Sequence, residues 1–241
     1  MAVDVLAIAA HPDDVELTCG GTLARLKAEG YRFGIIDLTR GEMGTRGSAE
    51  IRTAEARRAA EILGAEFRES LDLGDGGLGE HGRKEELAVI DVIRREKPRV
   101  VLTPYPDDRH PDHRRAGQLV TDAAFYAGLR KLETAHTAYR PQSTIYFPTF
   151  DPHEPEFVVD ITPYIETRRA AMRAFESQFH DPKSTEPQTI LSQRDFLDMI
   201  ESRARQHGAL IGVEFGEGFL SRRPPRIDDL VKAFSGFEPG F

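Results

Sequence analysis

Along the chain, short apolar runs alternate with longer amphipathic ones. "VDVLAIAAH" near the N-terminus is a continuous apolar run of strand length, which suits a strand buried on both faces. "TCGGTLARLKAEG" carries apolar residues at helical spacing and ends on Gly30, a helix-stop signal. "RFGIIDLTRGE" reads as a second strand running into the loop "GEMGTRGS". Ser48 then opens the helix "AEIRTAEARRAAEILG", which Gly64 closes. "EFRESLDLGDG" is a third strand, "RKEELAVIDVIRREKP" a helix stopped by Pro98, and "RVVLTPYP" a fourth strand. It ends in "DDRHPDH", and the helix "RRAGQLVTDAAFYAG" follows. This order predicts an α/β fold with a mostly parallel sheet flanked by helices.

The remainder is less regular. "STIYFPTF" and "EFVVDITP" read as two more strands, and Pro163 opens the helix "YIETRRAAMRAFESQF". After the polar loop "HDPKSTEPQT" comes one long helix, "ILSQRDFLDMIESRARQHGALIG", and a tail of strand or loop. No repeat or linker interrupts the chain. The expectation is a single domain over 1–241, a βα core over 1–130 with a C-terminal α+β elaboration over 131–241 that completes the pocket.

Composition narrows the function. A formal net charge of -8 argues against nucleic-acid binding. No apolar run is long enough for a transmembrane helix, so no membrane association is expected. The N-terminus lacks a basic segment ahead of its apolar run, which argues against a signal peptide. Cys19 is the single cysteine, so no internal disulfide can form. Together these predict a cytoplasmic protein. "GEMG" and "GDGG" are weak phosphate-loop look-alikes. Neither is a Gly-rich fingerprint directly after the first strand, so a nucleotide-dependent transferase is poorly supported.

The chemistry lies in two polar clusters at strand ends, where open parallel sheets bind their ligands. His11, Asp13, Asp14 and Glu16 follow the first strand; Asp107, Asp108, Arg109, His110, Asp112 and His113 follow the fourth. Both contain His-Pro-Asp, as "HPDD" and "HPDH". Proline biases the preceding residue towards extended backbone, so each histidine can end its strand facing the crevice. One such turn reads equally well as a helix N-cap. Two of them, both at strand ends, favour a metal site of two histidines and one carboxylate, with a second carboxylate left to take a proton. Adjacent Asp13 and Asp14 repel each other, and a divalent cation relieves that repulsion.

At these residues the sequence resembles the PIG-L/LmbE-like family of zinc-dependent N-acetylglucosamine (GlcNAc) deacetylases, through "AHPDDVE", "HPDH", "GEMGTRGS" and "IRTAEARRAAEILG". In "FESQF", "RARQHGALIGVEFGEGF" and "SRRPPRIDDLV" it resembles the bacillithiol-pathway members, which act on N-acetylglucosaminyl-malate. The resemblance spans the chain and implies a Rossmann-like fold, bound Zn2+ and a small GlcNAc conjugate as substrate. It also implies a homo-oligomer, with a hexamer as one form. His11, Asp14 and His113 would hold the zinc, and Asp13 would be the general base. His110 would stabilise the oxyanion or protonate the amine, and Asp112 would hydrogen-bond a neighbouring histidine. Arg52 matches a substrate-contacting position.

Outside the resemblance, Arg46 and Arg109 sit in strand-end loops and could grip a substrate carboxylate. The alternative for each is a solvated loop arginine. Cys19 reads as a small core residue and Glu16 as ordering the turn. Other divalent ions suit the same donors. The competing functions are a deacetylase or amidase for another GlcNAc conjugate, of mycothiol or chito-oligosaccharide type, and a non-catalytic metal- or sugar-binding module.

Overall fold

The computed structural model describes residues 2–235. The first strand, β1 (Val5–Ala9), is flanked by β2 (Phe33–Asp37) on one side and β4 (Val100–Pro104) on the other, parallel to both. Beyond β2 lies β3 (Phe67–Ser70), and beyond β4 lies β5 (Ser143–Phe147), again parallel. Then come β7 (Gly216–Ser221), antiparallel to β5, and the edge strand β6 (Phe157–Asp160), antiparallel to β7. The sheet order is β3-β2-β1-β4-β5-β7-β6. The fold is α/β, as the alternation predicts.

Because side chains alternate along a strand, β1 feeds two cores. Val5, Ala7 and Ala9 join the layer formed by α2 (Gly20–Ala28), α3 (Ala49–Leu63) and α6 (Ile165–Arg173). Leu6 and Ile8 join the opposite layer, under α4 (Arg83–Glu96) and α5 (Pro111–Tyr126). Both are 0% exposed. Each such side chain stabilises the fold by about 1.5–3 kcal/mol, which is why this run is apolar throughout.

Local chemistry explains where elements depart from the sequence pattern. The first predicted helix is α2, and a short helix that the pattern does not give, α1 (Asp14–Thr18), precedes it, the two meeting at Cys19. The N–H groups of Gly21 and Thr22 donate to the Glu217 carboxylate, at 2.9 and 2.7 Å, so β7 satisfies the start of α2. The α6 helix follows a 3-10 turn, Thr162–Tyr164, and ends at Arg173 instead of running on to Phe179. The chain breaks there to bury Phe175 and Phe179. The long helix expected from Ile190 is the shorter α7 (Phe196–Leu210). Ahead of it, Thr189 N–H donates to Ser192 Oγ (2.8 Å) and Ser192 N–H to Thr189 Oγ1 (3.2 Å). Such local side-chain bonds compete with helix. The tail adds the short α8 (Leu230–Phe234).

Candidate active site

The chain leaves β1 towards β2 on one side and returns to β4 on the other, so the two strands bracket a topological switch point. The HPDD turn follows β1, and HPDH opens α5 after β4. Both clusters therefore face one crevice. Neither aspartate behaves as a simple cap. Asp13 stands at the N-cap of α1 but makes no capping bond, and its φ of 105° is left-handed backbone that a non-glycine residue adopts at a cost. In the second turn His110 is the cap: its Nδ1 accepts from Asp112 N–H at 3.2 Å.

The first-cluster and second-cluster histidines are oriented in the same manner. His113 Nδ1 lies 3.2 Å from Asp108 Oδ1 and 2.8 Å from Thr149 Oγ1, and its Nε2 lies 3.2 Å from Asp14 Oδ1. His11 Nε2 lies 3.0 Å from Asp75 Oδ1 and 3.5 Å from Asp112 Oδ2, while its Nδ1 faces Asp14 Oδ2 at 3.5 Å. Each ring thus has one nitrogen on a carboxylate and turns the other towards Asp14. That is how proteins orient metal-binding imidazoles. Donor atoms of His11, Asp14 and His113 lie within 4.8 Å of one another, all on buried residues. His11, His110 and Asp112 form a second, overlapping group, in which His110 is half-buried.

Charge is concentrated here. Burial alone would make both histidines less basic, but the surrounding carboxylates outweigh it. His113 rises to about 9 and His11 rises well above its ordinary value. The same attraction holds Asp14 well below the usual carboxylate range, against its burial. Asp75 falls to about 2 through its bond to His11. Asp13 moves the other way. Burial lifts it, Arg52 opposes the rise, neighbouring Asp14 adds to it, and the carboxyl sits at about 7. Burial and the charge of His113 depress His110.

Arg52 reaches the cluster from α3. Its Nη2 donates to Asp13 Oδ2 at 3.0 Å and to the carbonyl of Pro12, and its Nη1 to the carbonyl of Gly41 at 3.0 Å. Gly41 has a φ of 64°, and a Cβ there would stand 1.9 Å from that guanidinium, so only glycine leaves room for it. Asp13, Asp14, Arg52, His110, Asp112 and His113 all line one cavity of about 310 Å3. Arg52 faces this cavity with its charge already engaged by Asp13. Arg46 does not line it. That side chain is buried, with Nε donating to Ser177 O (3.0 Å) and Nη2 to Ser184 Oγ (3.0 Å), so it ties the loop to the segment after α6. Arg109 does not line the cavity either; it is exposed, its guanidinium 4.6 Å from the centre of the ring of Phe150, which does. Cys19 is fully buried, and burial pushes its thiol up.

Three polar contributors were not assigned roles from the sequence. Asp75 comes from "GDGG" and is nearer to His11 than Asp112 is. Asp108, one of the second cluster, orients His113 and also accepts from Phe150 N–H at 2.9 Å. Thr149 donates to Asp108 from the segment after β5. A carboxylate after β3 or β4 was the available signal, but its partner depends on how loops fold.

Two histidines and a carboxylate, with a free carboxylate beside them, fit a divalent cation of the catalytic type, which takes three protein ligands. The α/β fold and this strand-end site define a hydrolytic centre suited to a metal-held water, and the family and relatives of the chain make its class that of the N-deacetylases. The chain belongs to the family described as "PIG-L: GlcNAc-PI de-N-acetylase", whose pattern matches residues 6–124. It is 36% identical over 187 residues to the diacetylchitobiose deacetylase of Thermococcus kodakarensis, covering 73% of this chain and 70% of that one. Its fold is similar to the crystal structure of the conserved protein TT1542 of Thermus thermophilus, with a TM-score of 0.84 and 40% identity over 93% of this chain and 97% of that one. It is also 30% identical over 200 residues to a 4-oxalmesaconate hydratase of Pseudomonas putida, covering 73% of this chain and 74% of that one.

Proposed function

We propose that this protein removes the N-acetyl group from a small GlcNAc conjugate with the help of a divalent metal, and that N-acetylglucosaminyl-malate is its substrate. The observation that carries the reading is the division between the two adjacent acids. Asp14 faces both oriented histidines, while Asp13 faces Arg52 and the cavity.

In this reading His11, Asp14 and His113 hold the ion, with zinc as the first choice. When bound, the metal polarises the amide carbonyl and acidifies water. Asp13 accepts the proton from the attacking water; its buried carboxyl, lifted to about 7, suits both taking and returning a proton near neutrality. Arg52 keeps Asp13 aimed and stops its basicity rising further. His110 Nδ1 is occupied as an acceptor from Asp112 N–H, so the neutral ring donates through Nε2. That geometry suits a hydrogen bond to the developing oxyanion, a contribution of about 3–4 kcal/mol for a single donor. Asp13, carrying the proton it took, then protonates the departing amine. Asp112 and Asp75 steady His11, and Asp108 steadies His113.

Arg109, exposed and stacked on the cavity-lining Phe150, supports an anionic aglycone such as malate. The 36% identity to a diacetylchitobiose deacetylase supports diacetylchitobiose as the second reading. An acetate-release panel over both conjugates and a mycothiol-type precursor, with added zinc and with chelator, tests the proposal. Metal-dependent acetate release with the malate conjugate preferred is expected. No acetate from any conjugate would sink the deacetylase reading and leave a hydratase or a binding module. Arg109→Ala is expected to lower kcat/KM for the malate conjugate about tenfold, and less for the uncharged sugar.

A further inference from the structure

The metal-facing side chains Asp14 and His113 border a second chamber besides the cavity that holds Asp13. It measures about 110 Å3. Its walls are Leu17, Phe150, Phe196 and Ile200 together with Thr18 and Thr149, whose hydroxyls are turned to the Asp14 carbonyl and to Asp108, and Met199, 54% exposed, forms its outer edge. Arg203 also borders it, its guanidinium donating to the main-chain carbonyls of Thr149 and Leu17. Leu17 and Phe150 line both spaces, so the two meet beside Asp14 and His113.

An amide carbon held at that junction carries two groups that diverge. The nitrogen bears the sugar, which needs the larger cavity, where Asp13, Arg52 and Asp75 offer charged partners. The acyl chain points the other way, where the surface the chamber offers is mainly that of Leu17, Phe150, Phe196 and Ile200. Its size exceeds an acetyl methyl. A cavity of about 150 Å3 accepts benzene, or roughly 25 Å3 per carbon, so this one holds the three carbons that a butanoyl group carries beyond its carbonyl, with about one carbon's volume to spare. An apolar wall without a partner loses dispersion contacts that a longer chain would restore.

We propose that the chamber is an acyl-chain subsite and that the protein hydrolyses N-acyl groups longer than acetyl, with butanoyl the best match. The inference rests on the N-deacylase reading. Water supplies its hydroxyl to the acyl carbon and a proton to the nitrogen; the C–N bond breaks, and butanoate and the free amine leave.

The test compares N-acetyl and N-butanoyl forms of one glucosamine conjugate, with metal-loaded protein. Two extra buried methylenes raise kcat/KM by up to about 15-fold. A butanoyl value below the acetyl value overturns the proposal. In Ile200→Phe, which narrows the chamber, the butanoyl-to-acetyl ratio is expected to fall at least tenfold, and an unchanged ratio overturns it. Calorimetry of metal-loaded wild-type protein with butanoate and with acetate gives a second readout. Butanoate should bind tighter by a similar factor, and equal affinities count against the subsite. If neither acyl form is cleaved, the deacetylase reading has failed, and the calorimetric ratio still decides whether the chamber takes an acyl chain.

Discussion

Removing Arg68 should expose how the metal-facing turn is anchored. Arg68, on β3, donates from Nη1 to Glu16 Oε1 at 2.6 Å, and from Nε and Nη2 to the two oxygens of Asp37 at 2.7 and 2.9 Å. The three side chains are 3%, 0% and 4% exposed. Glu16 lies in α1, two residues beyond Asp14, and its Oε2 has no hydrogen-bond partner among the described residues. Arg68→Met therefore strands two carboxylates in a dry site. Breaking a buried pair by removing one partner costs about 3–5 kcal/mol, and the two pairs share one guanidinium, so their costs do not simply add. Burial already raises Glu16 despite the arginine, and without that charge it rises further. A carboxyl raised on folding stabilises most below its unfolded value and loses that contribution as pH climbs through the folded one. The deficit should thus be small near pH 4–5 and full by pH 8. Urea unfolding of chelated protein at both pH values measures it. A loss under about 1 kcal/mol at pH 8, or one independent of pH, would refute the reasoning. Adding Glu16→Gln and Asp37→Asn should recover at least half, because the stranded charges are then gone.

Other consequences are equally direct. Asp13→Ala is expected to retain zinc by elemental analysis while losing about 10²–10⁴-fold in kcat, and Asp14→Ala to lose the metal itself; metal loss in the Asp13 variant would reverse the two assignments. The surrounding carboxylates raise His11 and lift His113 to about 9 in the metal-free site, so metal binding near neutrality is expected to displace protons. Calorimetry in two buffers should show proton release below pH 9 and affinity rising with pH, whereas a flat profile would mean the rings are already neutral. By the same linkage, the metal-free protein keeps the His113 contribution below about pH 6.5 and loses it as pH rises through 9. Thermal melts with chelator should record that decline. Gly117→Ala would place a Cβ 2.4 Å from the Pro104 carbonyl, and we expect about 1–3 kcal/mol of destabilisation by denaturant titration, since backbone cannot step aside.

How far the sequence reaches depends on the range of the forces involved. The β1 run and the Ser48-to-Gly64 helix were legible because their signals are local. A dry strand must be apolar on both faces, and Ser48 Oγ accepts from Ile51 N–H at 3.3 Å while Gly64 takes a φ of 78°. The meeting of HPDD and HPDH followed from topology, since an alternating α/β chain with a switch point sets two strand ends side by side. Asp75 and the inward turn of Arg46 were not legible. Both depend on loop partners far along the chain, Asp75 on His11 and Arg46 on Ser177 and Ser184. The α7 start failed for a local reason that periodicity ignores, the Thr189–Ser192 bonds.

The same contrast bears on Asp13. Two neighbouring acids in a sequence pose only a repulsion, and nothing local says which one yields. The fold decides it through backbone: a left-handed φ at Asp13 turns its carboxylate to Arg52, while Asp14 continues into α1 facing the histidines. A residue that relaxed this φ would merge the two environments, and with them the difference in proton affinity that separates a ligand from a base. Glycine at position 13 keeps the backbone but removes the carboxylate; asparagine, which tolerates left-handed backbone, keeps the shape and removes the charge. If the chemistry resides in the carboxylate, both variants should be equally inactive with metal still bound. If the strained turn mattered only as a scaffold, both variants would keep turnover, since both hold that backbone.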